Sequence, residues 1–436
     1  MNNDFKYIVI GAGIAGLHIG ALLSQHGKVL ILEKAKIIGG RARVVDVGGF
    51  KLDYGPHPVR FGSKSALGIS LNEIGKPVDF IKPGDSWAFL ENGKKTLFPT
   101  GGIIAVIKSD MVPTIKTLKF MIKVKKMKQN DFRQLYDLSL VEWFNRENID
   151  LKLQRFLIMA SSSMQVNSFP ERSSAGELLH NIHRVLEKGS VCYPKRGWNS
   201  IFNSFSEKIH ENKGEIRLDS EVKEIIVESS KAIGVKIDNE IIRADKIIST
   251  IPVQHLFTIL DDRLCEKKFV EKCKNLRPTT GISIDFCLSK PISNLKGLIF
   301  FENPYAFGFI PSNLSPEVAP QGHSLMSFFT ATDLNDFRNK DKMKEIHRNL
   351  RDVILHFFPN IENYLLYERP LFLEMVDGVE INIEQHQLKR PGNKIKNIKN
   401  LYITGDSVGG EGAGGEVGNE SVRNTYKLIK DEEIVL

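Results

Sequence analysis

Gly11-Ala12-Gly13-Ile14-Ala15-Gly16 has the spacing G-x-G-x-x-G, and Glu33 stands 22 residues beyond Gly11. Residues of these types at this spacing can hold a pyrophosphate and a ribose. Gly11 allows a tight turn, Gly13 lets the backbone approach a pyrophosphate, and Gly16 lets a helix pack closely on a strand. Free N–H groups and the positive dipole end of that helix face the phosphates. Glu33 accepts hydrogen bonds from ribose hydroxyls and would repel the 2′-phosphate of NADP. The elements that must position these groups can be read on either side. Tyr7-Ile8-Val9-Ile10 is an unbroken apolar run suited to a central parallel strand. A helical pattern then reaches Gln25-His26-Gly27, and Lys28-Val29-Leu30-Ile31-Leu32 leads into Glu33. The motif in this β-α-β setting implies a dinucleotide, NAD or FAD.

Five residues after Glu33 comes Ile38-Gly39-Gly40-Arg41-Ala42, then Asp53-Tyr54-Gly55-Pro56-His57. Paired glycines before an arginine suit a loop lying against a cofactor whose phosphate the guanidinium binds. Here the chain resembles the flavin-containing amine oxidase superfamily, and within it the phytoene desaturase-like branch. The resemblance implies FAD. It extends to Gly405-Asp406, the glycines of 409–415 and a helical stretch over 417–430. There it implies that Asp406 bonds a ribityl hydroxyl and that the last helix faces the flavin O2 edge, stabilising negative charge on the reduced ring. It also implies an adenine contact through the backbone of Val222. The cofactor-binding residues expected on this basis are Gly11, Gly13, Ala15, Gly16, Glu33, Lys34, Gly40, Arg41, Val222, Gly405, Asp406, Gly415, Glu416 and Val417.

The expected fold is α/β: a discontinuous Rossmann-type FAD-binding domain, glutathione reductase-like, from 1–70, 190–255 and 395–436. An α+β substrate domain of mixed sheet and helical cap is inserted as 71–189 and 256–394. Tyr193-Pro194-Lys195-Arg196-Gly197-Trp198 marks one return, with Arg196 where the family usually has a glycine. The length of 436 residues agrees with two or three domains. With 42% hydrophobic and 26% charged residues the chain is not disordered. No apolar run is long enough to span a membrane. The net charge of +8 is too modest to indicate nucleic acid binding. Cys192, Cys265, Cys273 and Cys287 have no metal-ligand spacing and suit a reducing compartment. Met1-Asn2-Asn3-Asp4 leads directly into the first strand, so no signal peptide is expected. The expected location is cytoplasmic, including the inner face of the membrane.

Two departures from the amine-oxidising relatives bear on substrate. Alignment on Ser289-Lys290-Pro291 puts Ser283 at their lysine position near flavin N5, and counting from Gly405 puts Gly415 at their aromatic position. Both argue against amines, and Gly415 opens the flavin face to something broad and flat; the resemblance implies desaturation, saturation or isomerisation at C–C bonds of a hydrophobic, isoprenoid-like substrate. Segment 300–330 is rich in Phe and repeats the branch's spacing from Ser312 to Gly322, although a buried core has the same composition. His57 and Arg60 are the expected substrate-facing residues. His57 serves either as a polar anchor and proton carrier or as a hydrogen-bonded support for its loop. No second nucleotide motif is present, which points to a quinone or oxygen as electron acceptor. Rival readings are a protoporphyrinogen oxidase-like or amine-oxidising flavoenzyme and a prenyl-binding escort protein without catalysis.

Residues 114–128 contain six lysines and no acid. Lys116, Lys119, Lys123 and Lys126 fall on one helical arc, with Ile115, Leu118, Met121, Ile122 and Val124 outside it. Such a helix is expected to contact an anionic membrane surface or to present a solvated basic face.

Overall fold

The computed structural model describes residues 5–100, 102–238 and 240–434; Met1–Asp4, on which the reading of the N-terminus rests, lie outside them. A seven-stranded sheet forms from distant parts of the chain. Its parallel part runs Glu215–Arg217, Val29–Leu32, Phe5–Ile10, Glu240–Ser249 and Leu401–Ile403. The register puts Ile10 beside Leu32 and Ser249, and Ser249 beside Ile403. These strands therefore end at one edge, and the residues that follow them, Gly11, Glu33, Thr250 and Thr404, share it. The long strand Glu240–Ser249 continues outward as an antiparallel arm with Lys231–Ile237 and Val222–Glu228. Val, Ile and Leu fill the parallel strands because helices cover the sheet, leaving little surface to water.

Helix Ile14–Ser24 lies between helices Asn199–Glu211 and Gly415–Ile434. Its burial is nearly complete, and His18 stacks on Phe205 while its Nδ1 meets Asn419 Oδ1 at 3.3 Å. The final helix begins at Gly415, two residues earlier than the sequence pattern indicates.

A second sheet of seven strands runs Leu365–Leu373, Thr280–Leu288, Ser324–Thr332, Ala306–Phe309, Ile299–Phe301, Trp87–Phe89 and Lys95–Leu97. It is antiparallel except for the parallel pair Ile299–Phe301 and Trp87–Phe89. The two-residue alternation of strands sorts its aromatics. Phe301, Phe328 and Phe286 form one core with helix Lys340–Phe357, whereas Phe300, Phe307 and Phe329 point to the other face and join the main core. The Phe-rich segment 300–330 is thus divided between two cores.

Buried polar groups tie the second sheet to the small hairpin Val44–Val47/Phe50–Asp53 and to strand Val191–Pro194. Arg369 donates to Asp285 Oδ2 from Nε at 2.9 Å and Nη2 at 2.6 Å, and Nη2 also bonds the Asp53 carbonyl. Tyr193 Oη donates to Asp53 Oδ2 at 2.8 Å. Arg196 adopts φ of 66°, the left-handed conformation that favours glycine, and its N–H donates to Ser315 Oγ at 2.7 Å. The departure from the family pattern at this position therefore changes the side chain and keeps the turn.

Candidate active site

The site begins where the parallel strands end. Gly11 turns at φ of 100°, with its N–H on Leu32 O at 2.8 Å. Added Cβ atoms there and at Gly16 would stand 2.7 Å from Thr250 Oγ1 and 1.9 Å from Gly11 O, so protein packing already requires both glycines. Gly13 differs. Its φ is −69°, open to any residue, and an added Cβ would meet only Gly40 Cα at 3.9 Å. Nothing in the protein demands glycine at that position, whereas a group lying against the backbone does. No side chain caps helix Ile14–Ser24 and no acid stands in its first turn, leaving its N–H groups for an anion. Ala15 is on that first turn.

Glu33 is oriented by two backbone donors, Ala12 N to Oε2 at 2.7 Å and Ala35 N to Oε1 at 2.8 Å. Its remaining lone pairs suit ribose hydroxyls. Lys34 beside it is exposed. Ser220 N donates to Glu33 O at 2.8 Å, which brings the start of strand Val222–Glu228 to the same end of the site.

Gly40 and Arg41 lie in a loop fastened to the first turn by Gly39 N on Ala12 O at 2.9 Å. Arg41 is directed at Asp406: Nη2 donates to Oδ1 at 2.7 Å and Nη1 to Oδ2 at 2.8 Å. The sequence reading gave these two side chains separate partners on the cofactor; the structure joins them. Burial pushes the Asp406 carboxyl up, but Arg41 and the Gly378 N–H outweigh it and hold the carboxyl below its usual range. Gly405 precedes it with only Thr250 O within 4 Å of an added Cβ. Gly414 and Gly415 have nothing within that distance. Val417 is buried in the last helix. Glu416 turns inward, 3.4 Å from Arg184 Nη2, and burial pushes its carboxyl up to about 7.

His57 and Arg60 follow the turn after Asp53. His57 Nδ1 lies 2.6 Å from Gly55 O, Trp198 Nε1 donates to the His57 carbonyl at 2.7 Å, and the ring edge meets Trp198. Burial lowers the imidazole pKa, keeping the ring neutral. A Cβ at Gly55 would stand 3.6 Å from Leu373 Cδ1, 3.7 Å from His57 Cε1 and 4.0 Å from Ser283 Cβ, so these residues border one spot. Ser283 is fully buried and donates to Phe328 O at 3.0 Å. Arg60 bonds the Met164 carbonyl, and burial brings its guanidinium down to about 10.

Three participants escaped the sequence reading. Asp377 neighbours Asp406, Arg41 and Arg60, and burial raises its carboxyl to about 7. Gly378 supports Asp406 through its N–H at 2.7 Å, and an added Cβ would stand only 2.7 Å from Asp406 Oδ1. The Asp-Gly dipeptide was the available signal, as a turn former. Arg184 is buried behind the loop of 409–415, with its Nη1 lacking a partner among the described residues.

The uncapped helix start, the acid placed for a ribose and the Gly-Asp loop that closes the ring together suit a dinucleotide flavin. The model of the flavin containing amine oxidoreductase family matches residues 14–418, and the chain belongs to that family. It is 26% identical over 410 residues to an uncharacterized protein of Methanocaldococcus jannaschii, covering 93% of this chain and 94% of the other. It is 26% identical over 303 residues to a 4,4'-diapophytoene desaturase (4,4'-diapolycopene-forming) of Methylomonas sp, covering 60% of this chain and 56% of the desaturase. A solved structure of an oxidoreductase from Methanosarcina mazei has a TM-score of 0.81 at 22% identity, over 97% of this chain and 100% of that one, and shares the fold. The cofactor is FAD, and Gly13 and Gly415, where the protein leaves room for a side chain without positive φ, fit it.

Proposed function

We propose that this oxidoreductase changes carbon–carbon bonds, by desaturation, saturation or isomerisation, in a hydrophobic, isoprenoid-like substrate. Ser283 carries the reading. On the resemblance it occupies the position at which amine oxidases place a lysine, and its hydroxyl is already committed to Phe328 O. It offers the substrate neither a charge nor its hydroxyl proton. Gly415 likewise offers no aromatic side chain. Leu373 and Gly55 at the same spot suit a flat apolar group better than an ammonium ion, whose burial without a partner is costly. The likeness to a carotenoid-type desaturase adds support.

When bound, FAD accepts or returns a hydride equivalent. The chain's part is to position the substrate and exclude water. His57, neutral and fixed through Nδ1, leaves Nε2 as the ring atom for proton exchange. Arg60 positions the neighbouring backbone through Met164. A quinone or oxygen takes the electrons when the reaction is oxidative. Mass spectrometry of lipids extracted from the purified holoprotein tests this. An enriched isoprenoid is expected; a lipid-free protein that turns over amines would overturn the reading.

A further inference from the structure

Two consecutive helices, Ile103–Lys108 and Thr114–Lys126, pack against each other and leave five isoleucines in solvent. Ile103, Ile104, Ile107, Ile115 and Ile122 are each between 55% and 71% exposed. Isolated exposed isoleucines need no explanation, but five within twenty residues do. The longer helix buries Thr117, Phe120 and Val124, so its outward stripe is Ile115, Lys119, Ile122 and Lys126. All four lysines of the expected arc are exposed, and the outward face also takes in the isoleucines beside it. Lys116 and Lys123 are held by Asp150 and Glu147, each at 2.8 Å, and fasten the helix to its neighbours. Lys119, Lys125 and Lys126 are exposed and make no ion pair among the described residues.

We infer that this two-helix surface docks on an anionic lipid bilayer, with the isoleucines entering the acyl boundary and Lys119, Lys125 and Lys126 meeting the headgroups. The charge pattern selects this occupant. Residues 111–130 contain six lysines and no acid, so a two-fold contact with a second copy would set lysine against lysine. A bilayer offers both an apolar phase and negative charge, and lysine stems extend along apolar surface while their heads stay in water. No described helix is long and apolar enough to cross a membrane, so the contact is peripheral. It stands independently of the substrate reading.

Flotation of the holoprotein with phosphatidylcholine vesicles, with and without phosphatidylglycerol, tests the inference. Wild type should float with the anionic vesicles at low salt, and weakly or not at all with neutral ones. A Lys119→Ala/Lys125→Ala/Lys126→Ala variant should partition about tenfold less or weaker, because each lysine near an anionic surface contributes appreciably. An Ile104→Ser/Ile107→Ser/Ile115→Ser variant should lose the fraction that survives moderate salt, which screens only the charged part. Both variants should keep flavin absorbance and melting temperature. Absent flotation of wild type, equal flotation with both vesicle types, or unchanged binding of either variant would overturn the inference. So would self-association that the isoleucine variant abolishes without any vesicle binding.

Discussion

Arg41 and Asp406, 365 positions apart in the chain, form a two-pronged ion pair with N–O distances of 2.7 and 2.8 Å. The contact closes the ring of the site, because Arg41 follows the first nucleotide turn and Asp406 ends the last parallel strand. A planar guanidinium suits this carboxylate in a way an ammonium cannot.

Arg41→Lys should therefore weaken FAD retention and lower stability by about 1–3 kcal/mol, discounted from fully buried pairs because Arg41 is partly open to water. A double-mutant cycle with Asp406→Asn, followed by urea unfolding and flavin release, should show coupling above about 0.5 kcal/mol. Strict additivity would mean the two side chains act separately.

Gly13→Ala and Gly16→Ala should fail in different ways. The first places a methyl where the protein has room, so apoprotein melting stays near wild type while FAD affinity falls at least several-fold. The second drives a methyl against the Gly11 carbonyl, so the fold itself is destabilised. Calorimetry of apoprotein alongside flavin titration separates them; equal flavin affinity in Gly13→Ala and wild type would remove Gly13 from the site.

Both turns were legible in the sequence because they are local: a glycine at fixed spacing answers to a backbone approach a few residues away. The Gly-Asp loop was legible through its resemblance to the family pattern. Asp377, Arg184 and the Arg369–Asp285 pair were not, since side chains brought together by sheet packing carry no spacing signal. The Phe residues of 300–330 could not be sorted by composition because strand alternation sends neighbours to opposite faces. On the basic helix the lysine arc is exposed as its pattern indicates, whereas the exposure of Ile115 and Ile122 depends on the inward turn of Phe120 and Val124, which the pattern does not show.

Asp53 supplies a pH prediction. Burial raises its carboxyl to about 7, far above the value in an unfolded chain, so the native state holds the proton longer than the unfolded state does. Its contribution to stability is complete below about pH 4 and is lost as pH rises through about 7. Asp53→Asn keeps an acceptor for Tyr193 Oη without titrating. Its melting temperature should decline less between pH 5 and 8 than that of wild type, a slope that differential scanning fluorimetry measures. Identical slopes would show that Asp53 is ionised throughout.

The most direct test of the account is product analysis on the holoprotein. Oxidised and chemically reduced samples are incubated anaerobically with polyene isoprenoids in vesicles and, separately, with a panel of primary amines and polyamines. The account predicts isoprenoids altered in the number or geometry of their double bonds, and amines recovered unchanged with no bleaching of the flavin. Rapid flavin reduction by an amine, with every isoprenoid unaltered, would contradict it.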